Sequence, residues 1–222
     1  MIKKKYIAIE GAIGVGKTTL AKRISDTIKC DTLFEDYIDN PFLKEFYDQN
    51  QSNSFSTQLF FLLRRIDQSQ KVIEMDGLLI SDFYFGKDDL FAKLNLNELE
   101  YSVYLEIREK LMFTPPTPDL IIYLQAPTDI LLERIKKRGL EMEMNMKKKY
   151  IDSVNEVYMR HFHEYNSSPV LIINTSNVDI NNENDFQILI QEISSDITAE
   201  TIINKYIEKI GGSEKLNSVS TI

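Results

Sequence analysis

Short apolar runs broken by charges or turn residues recur along the chain, at Ile2–Glu10, Thr32–Phe34, Leu78–Ser81, Leu120–Leu124 and Val170–Ile173. Each is shorter than an ordinary helix, and most are rich in Ile, Val, Leu or aromatics, as strands covered on both faces are. Longer stretches with apolar positions three and four apart separate them, among them Ser54–Lys71, Leu96–Met112 and Thr128–Arg138. These predict helices. Thr128 or Asp129 is placed to cap the last one, and Gly139 to end it. Strands alternating with helices predict an α/β fold with five parallel strands and right-handed crossovers. No repeat, linker or composition break appears before about residue 175, which predicts one domain over 1–222. Beyond it, Asn177, Asn181, Asn182, Asn184 and Asp185 predict a polar loop, with a helical tail after it. From about 194 to 222 the chain carries an extra segment whose Gly211-Gly212 pair and Ser/Thr-rich end read as frayed.

The first strand runs into Gly11-Ala12-Ile13-Gly14-Val15-Gly16-Lys17-Thr18-Thr19. Gly11, Gly16, Lys17 and Thr18 fit G-x-x-x-x-G-K-[ST], a loop that wraps the phosphates of a nucleoside triphosphate. The glycines bring backbone N–H groups against phosphate oxygens with no Cβ in the way. Lys17 supplies a mobile charge for the outer phosphates, and the Thr18 hydroxyl is placed to ligate Mg²⁺. The helix implied by Leu20, Ile24 and Ile28 turns its positive end toward the same anion. Strand, loop and helix together predict binding of a nucleoside triphosphate with Mg²⁺.

Charge and cysteine content narrow the remaining classes. The chain has 222 residues, 43% of them hydrophobic, and a formal charge of −8 from 34 acids and 26 bases. Such a balance argues against a general nucleic-acid-binding surface. One cysteine, Cys30, leaves no internal disulfide and fits a reducing compartment. It reads as a small buried residue at a strand start. No stretch approaches a membrane span, and Glu10 with the glycine loop interrupts the apolar run behind Lys3–Lys5. The expectation is a cytoplasmic protein with no membrane partner.

Ligands in such sheets gather at the carboxyl ends of the strands. The second predicted strand ends in Phe34-Glu35-Asp36 and the third in Ile80-Ser81-Asp82. Asp82 reads either as an acid near Mg²⁺ or as a turn residue. On the helix Thr128–Arg138, Arg134 and Arg138 share one face. Alone they read as a solvated basic helix end. Beside a phosphate loop they read as a lid over the triphosphate. Gln58 and Arg65 lie two turns apart on one helix face. The Gln58 amide, donor and acceptor at once, suits the edge of a nucleobase and equally an exposed helix position. His161 and His163, two apart, point to different faces and do not read as a metal pair.

A phosphate loop, a carboxylate ending strand two, an aromatic-Gln helix and an Arg-x-x-x-Arg-Gly lid, in this order, resemble the deoxynucleoside kinase family over about residues 5 to 175. The likeness is to the bacterial deoxyadenosine/deoxyguanosine kinase type. It implies a P-loop kinase three-layer sandwich with a helical lid at about 134–147 and ATP-dependent phosphorylation of a deoxynucleoside 5′-hydroxyl, purine by preference, in nucleotide salvage. It also implies a homodimer. By the same resemblance Glu35, ahead of Asn40-Pro41-Phe42-Leu43, is the general base. Tyr47 and its carboxylate partner Glu143 meet the 3′-hydroxyl. Gln58, with Arg65 and Asp88, reads the base. Arg134 and Arg138 are the lid arginines, and Tyr150 lies near the site. Two positions depart from the family pattern. Asp82 is followed by Phe83 where many members carry Arg, and Leu140 stands where a further lid Arg is common. Lys87 is the expected replacement cation. Two rivals remain at this level: a nucleoside monophosphate kinase of the thymidylate type, and a non-catalytic nucleotide-binding subunit. No N-K-x-D-type guanine motif supports a GTPase switch.

Overall fold

Strands β1 (Tyr6–Gly11), β4 (Leu120–Gln125) and β5 (Val170–Asn174) consist almost wholly of apolar residues because helices cover both of their faces. In β1 the side chains alternate between two cores. Ile7 and Ile9 pack with helices α1 (Lys17–Ile28), α6 (Thr128–Arg138) and α7 (Lys148–Glu164), while Tyr6 and Ala8 pack with Leu79, Phe83 and Phe85. The computed structural model describes residues 4–48, 53–195, 204–210 and 213–218, the last two stretches as strand backbone.

The remaining elements are β2 (Asp31–Leu33), α2 (Leu43–Asp48), α3 (Ser54–Glu74), β3 (Leu79–Ser81), α4 (Lys87–Asn95), α5 (Glu98–Lys110) and α8 (Glu183–Ser194). A single 3-10 turn, Glu141–Glu143, joins α6 to α7. Five parallel strands in the order β2-β3-β1-β4-β5 form the α/β core. Because β1 sits between β3 and β4, successive connections leave in opposite directions at its carboxyl end, which opens a crevice there. The phosphate-loop sequence stands at that point. Gly11 pairs with Leu124 of β4, and a Cβ on Gly11 would lie 2.2 Å from the Leu124 carbonyl oxygen.

The pattern-based elements recur within a few residues of these bounds, with two corrections. Neither Thr128 nor Asp129 caps α6; Pro127 holds the N-cap position, and Gly139 ends the helix at φ 70° as expected. Proline suits a helix start, where its missing N–H has no partner to lose. The second correction lies in the tail. Helix α8 is followed by β6 (Asn204–Ile210), parallel to β5, and β7 (Ser213–Ser218), antiparallel to β6, so the five-stranded core is extended to seven strands. The apolar Tyr206, Ile207 and Ile210 fall at helical rather than alternating spacing, so the sequence pattern carries no strand signal there and pairing with β5 decides it; Gly211-Gly212, read as frayed, lie outside the described residues. Among the described residues no helix is long and apolar enough to cross a membrane.

Candidate active site

The loop between β1 and α1 is shaped by its glycines. Gly14 and Gly16 adopt φ of 84° and 106°, and Val15 N donates to Ala12 O at 3.2 Å to close the turn. Lys17 folds back, donating from Nζ to Gly11 O at 2.6 Å and Ala12 O at 3.2 Å. Burial pushes its amine below the usual lysine value, against the pull of Glu10. One cleft runs outward from this loop, lined by residues 14–19, Arg134, Lys137, Arg138 and residues 175–181. Arg134 does not swing free over it. Its two terminal nitrogens donate to Thr175 Oγ1 and Thr175 O, both at 2.8 Å, and one reaches Val15 O at 3.4 Å. The helix carrying the basic pair is thus pinned to the phosphate loop and to the end of β5.

A second cleft, about 900 Å³ and open to solvent, lies on the other side of the loop. Gly11, Ile13, Gly14, Lys17 and Thr18 form one wall, and Glu35, Tyr47, Gln58, Arg65, Asp82, Lys87, Glu143 and Tyr150 all face it. Glu35 stands at its centre, just past the end of β2. Its backbone N–H donates to Asp82 Oδ1 at 2.7 Å. Its carboxylate is gripped by Arg65 on one oxygen and by Lys87 Nζ at 2.7 Å on the other. Burial alone would raise the Glu35 carboxyl, but Lys87 and then Arg65 outweigh it and hold the group at about 2. Arg65 and Gln58, buried on the same face of α3, also meet Asp88. Arg65 pairs with its carboxylate, and Gln58 Nε2 donates to the Asp88 backbone oxygen at 3.1 Å. Asp88 itself does not line the cleft. It stands behind Arg65 and Gln58, where burial raises its carboxyl against the pull of Arg65. Arg138 pairs with the buried Glu143 across the 3-10 turn. Tyr47 packs on Phe46 and Tyr150, with ring centroids 5.3 and 6.3 Å away, and burial lifts its phenol well above the usual value.

Sequence reasoning missed Glu10, which read only as an interruption of an apolar run. Fully buried, it accepts from Gly11 N at 2.9 Å, Tyr84 N at 2.8 Å and the Tyr158 hydroxyl at 3.0 Å. Lys17 Nζ and Lys87 Nζ stand 4.0 and 3.8 Å from it. A carboxylate inside an otherwise apolar strand was the signal, since such a group is retained only where partners meet it. Phe83 is buried against Phe85 and Tyr6. Its ring fills core, and Lys87 occupies the place beside Glu35.

Magnesium needs few protein ligands when phosphates and waters complete its shell. Among the described residues no three His, Cys, Asp or Glu gather as a metal cluster. Thr18 Oγ1 and Asp82 Oδ2 are 2.5 Å apart beside the phosphate loop, an oxygen pair that fits such an ion.

The family model described as deoxynucleoside kinase matches residues 7–198. The deoxyadenosine/deoxycytidine kinase of Bacillus subtilis is 30% identical over 202 residues, 87% of this chain and 93% of that protein. The deoxyguanosine kinase of the same organism is 35% identical over 157 residues, 69% of this chain and 76% of that protein. Deoxyadenosine kinase from M. mycoides with bound dATP superposes with a TM-score of 0.75 at 22% identity, covering 86% of this chain and all of that one (100%). The same enzyme with dCMP and a flexible dCDP bound gives 0.75 at 23% identity. That structural likeness carries the fold, and the sequence match carries the family: the chain belongs to the deoxynucleoside kinases.

Proposed function

We propose that this chain transfers the γ-phosphoryl group of ATP to the 5′-hydroxyl of a purine deoxynucleoside, deoxyadenosine or deoxyguanosine. The carrying observation is Glu35, held ionised between Arg65 and Lys87 in a cleft whose other wall is the phosphate loop. Each cation on the acceptor side of that cleft, Arg65, Lys87 and Arg138, already faces a carboxylate. This favours an uncharged acceptor over the phosphate that a monophosphate kinase of the thymidylate type must bind. Gln58 with Arg65 supports a purine base, as does the deoxyadenosine or deoxyguanosine in the names of the kinases above, one of which is named for deoxycytidine as well.

Phosphoryl transfer needs in-line positioning and charge neutralisation more than covalent chemistry. A carboxylate at about 2 is a weak base. Glu35 therefore acts first by accepting the hydrogen bond of the 5′-hydroxyl, which aims its oxygen at the γ-phosphorus. It takes the proton late, as the new P–O bond forms and acidifies the hydroxyl. Tyr47 and Glu143 hold the sugar, and Gln58 reads the base with Arg65, which Asp88 supports from behind. Lys17 leaves its loop carbonyls for the phosphate oxygens. Arg134, pinned with its helix against Val15 and Thr175, borders the phosphates in place, and Arg138, farther along the lid at about 134–147, closes over them and keeps water out. Thr18 and Asp82 would hold Mg²⁺, which neutralises phosphate charge when bound.

The test is phosphorylation with Mg²⁺-ATP over deoxyadenosine, deoxyguanosine, deoxycytidine and thymidine, with dAMP and dTMP as rival acceptors and Glu35→Gln and Lys87→Met alongside. Turnover on a purine deoxynucleoside, lost in Glu35→Gln and reduced roughly 10²-fold in Lys87→Met, is the expected result. Turnover on a monophosphate, or none with ATP still bound, would overturn the reading. A cytoplasmic homodimer is part of the same proposal. The apolar Leu63, Leu99 and Val103, exposed on α3 and α5, support the dimer, and light scattering on the intact chain would test it.

A further inference from the structure

The donor and acceptor clefts meet, and five residues line both: Gly14, Lys17, Thr18, Tyr37 and Arg138. Four of these belong to the phosphate loop or the basic helix. The fifth, Tyr37, matches no motif and comes from the loop after β2. In the reaction proposed above, on which this inference rests, the phosphoryl group crosses where the two clefts join, so a side chain lining both borders its path.

The loop is built to hold that position. Gln68 Nε2 donates to Phe34 O at 2.9 Å, and Glu35 N donates to Asp82 Oδ1 at 2.7 Å. Past Tyr37 the chain closes a turn, with Asn40 N donating to Tyr37 O at 3.2 Å. The buried Asn40 side chain ties this turn to Thr57 O at 3.3 Å. Tyr37 is therefore clamped on both sides, with its half-buried ring among the charges of Arg138, Glu143, Asp82 and Glu35. Burial raises its phenol, which keeps the hydroxyl protonated and able to donate.

We propose that the Tyr37 hydroxyl donates a hydrogen bond to a non-bridging oxygen of the phosphoryl group in transit. The bond from the γ-phosphorus to the β,γ-bridging oxygen breaks as the bond to the acceptor's 5′-oxygen forms. ADP leaves with the electron pair, the hydroxyl proton passes to Glu35, and Tyr37 keeps its own. A donor aimed at charge that is fully developed only between the two substrates acts on kcat rather than on either KM.

Tyr37→Phe and Tyr37→Ala test this, with folding checked by circular dichroism and thermal melting. Tyr37→Phe is expected to lower kcat about 10- to 100-fold, with KM for ATP and for the deoxynucleoside within about twofold. Tyr37→Ala should lose at least as much. Wild-type kcat in Tyr37→Phe with a fall only in Tyr37→Ala would assign the ring to packing and overturn the proposal, as would a rise in KM alone. A second measurement uses adenosine and deoxyadenosine joined 5′ to 5′ by five phosphates, a probe that spans both clefts. Tyr37→Phe should bind it at least about tenfold more weakly while binding ATP equally. Should the wild type turn over no deoxynucleoside, the kinase reading fails, yet a Tyr37-dependent loss with this probe would still support the contact. Equal binding by both proteins, or no binding by the wild type, would overturn it.

Discussion

Glu10 shows how one side chain ties the two clefts together. Its carboxylate accepts from the phosphate loop, from the loop after β3 and from α7, and the half-buried Lys17 and the buried Lys87 stand about its rim. Glu10→Gln keeps the size of the group but turns one acceptor into a donor. Either Gly11 N or Tyr84 N then faces an amide N–H, and both lysines lose a countercharge. The expected loss is about 3 kcal/mol of folding stability, read by urea denaturation. An unchanged midpoint would mean that the lysines are balanced elsewhere. Of the site side chains, those in local motifs were legible from sequence: Lys17 and Thr18 in the loop, Gln58 and Arg65 two turns apart on α3, Arg134 and Arg138 one turn apart on α6. Glu10 and Tyr37 were not, because the groups that give them meaning lie far along the chain. The Tyr158 hydroxyl that meets Glu10 is 148 residues away.

At the scale of elements, the phosphate loop and helix α6 are packed so closely that they must move together. Gly14 sits at φ 84°, and a Cβ there would lie 2.9 Å from Leu131 O and from Ile135 Cγ1, both on α6. Gly14→Ala strains the left-handed backbone, by about 1–2 kcal/mol, and pushes away the helix that carries Arg134 and Arg138. ATP affinity is expected to fall at least about tenfold, with a folded chain by circular dichroism. Wild-type affinity in a titration would show that the helix yields freely. The glycine pattern was visible in the sequence as a motif. The reason Gly14 in particular admits no side chain lies on another element, which the motif does not describe.

For the whole molecule, the charges gathered at the sheet's carboxyl edge make stability depend on pH. Glu35 titrates at about 2 in the folded chain against 4.5 for the free group. Its ion pairs therefore contribute in full above pH 4.5, and that contribution is lost as pH falls toward 2. Asp82 and Asp88, which burial raises, have the opposite sign: protonation favours their folded state. Melting temperatures compared between wild type and Glu35→Gln should converge as pH drops from 4.5 toward 2, with wild type the more stable above that window. A constant difference would remove Glu35 from the account. The sequence by itself determined the α/β core, the phosphate loop and the two helices that bring Gln58, Arg65, Arg134 and Arg138 to the site. Strand, loop and helix periodicities are local, and each is complete within a short window. Tertiary structure decided the extension of the sheet by β6 and β7, the burial of Phe83, the withdrawal of Asp88 behind Arg65 and the meeting of Glu10 with Tyr84 and Tyr158. These are pairings between distant segments. Their partners are chosen by which apolar faces and opposite charges the packed sheet brings together, and no local pattern encodes that choice.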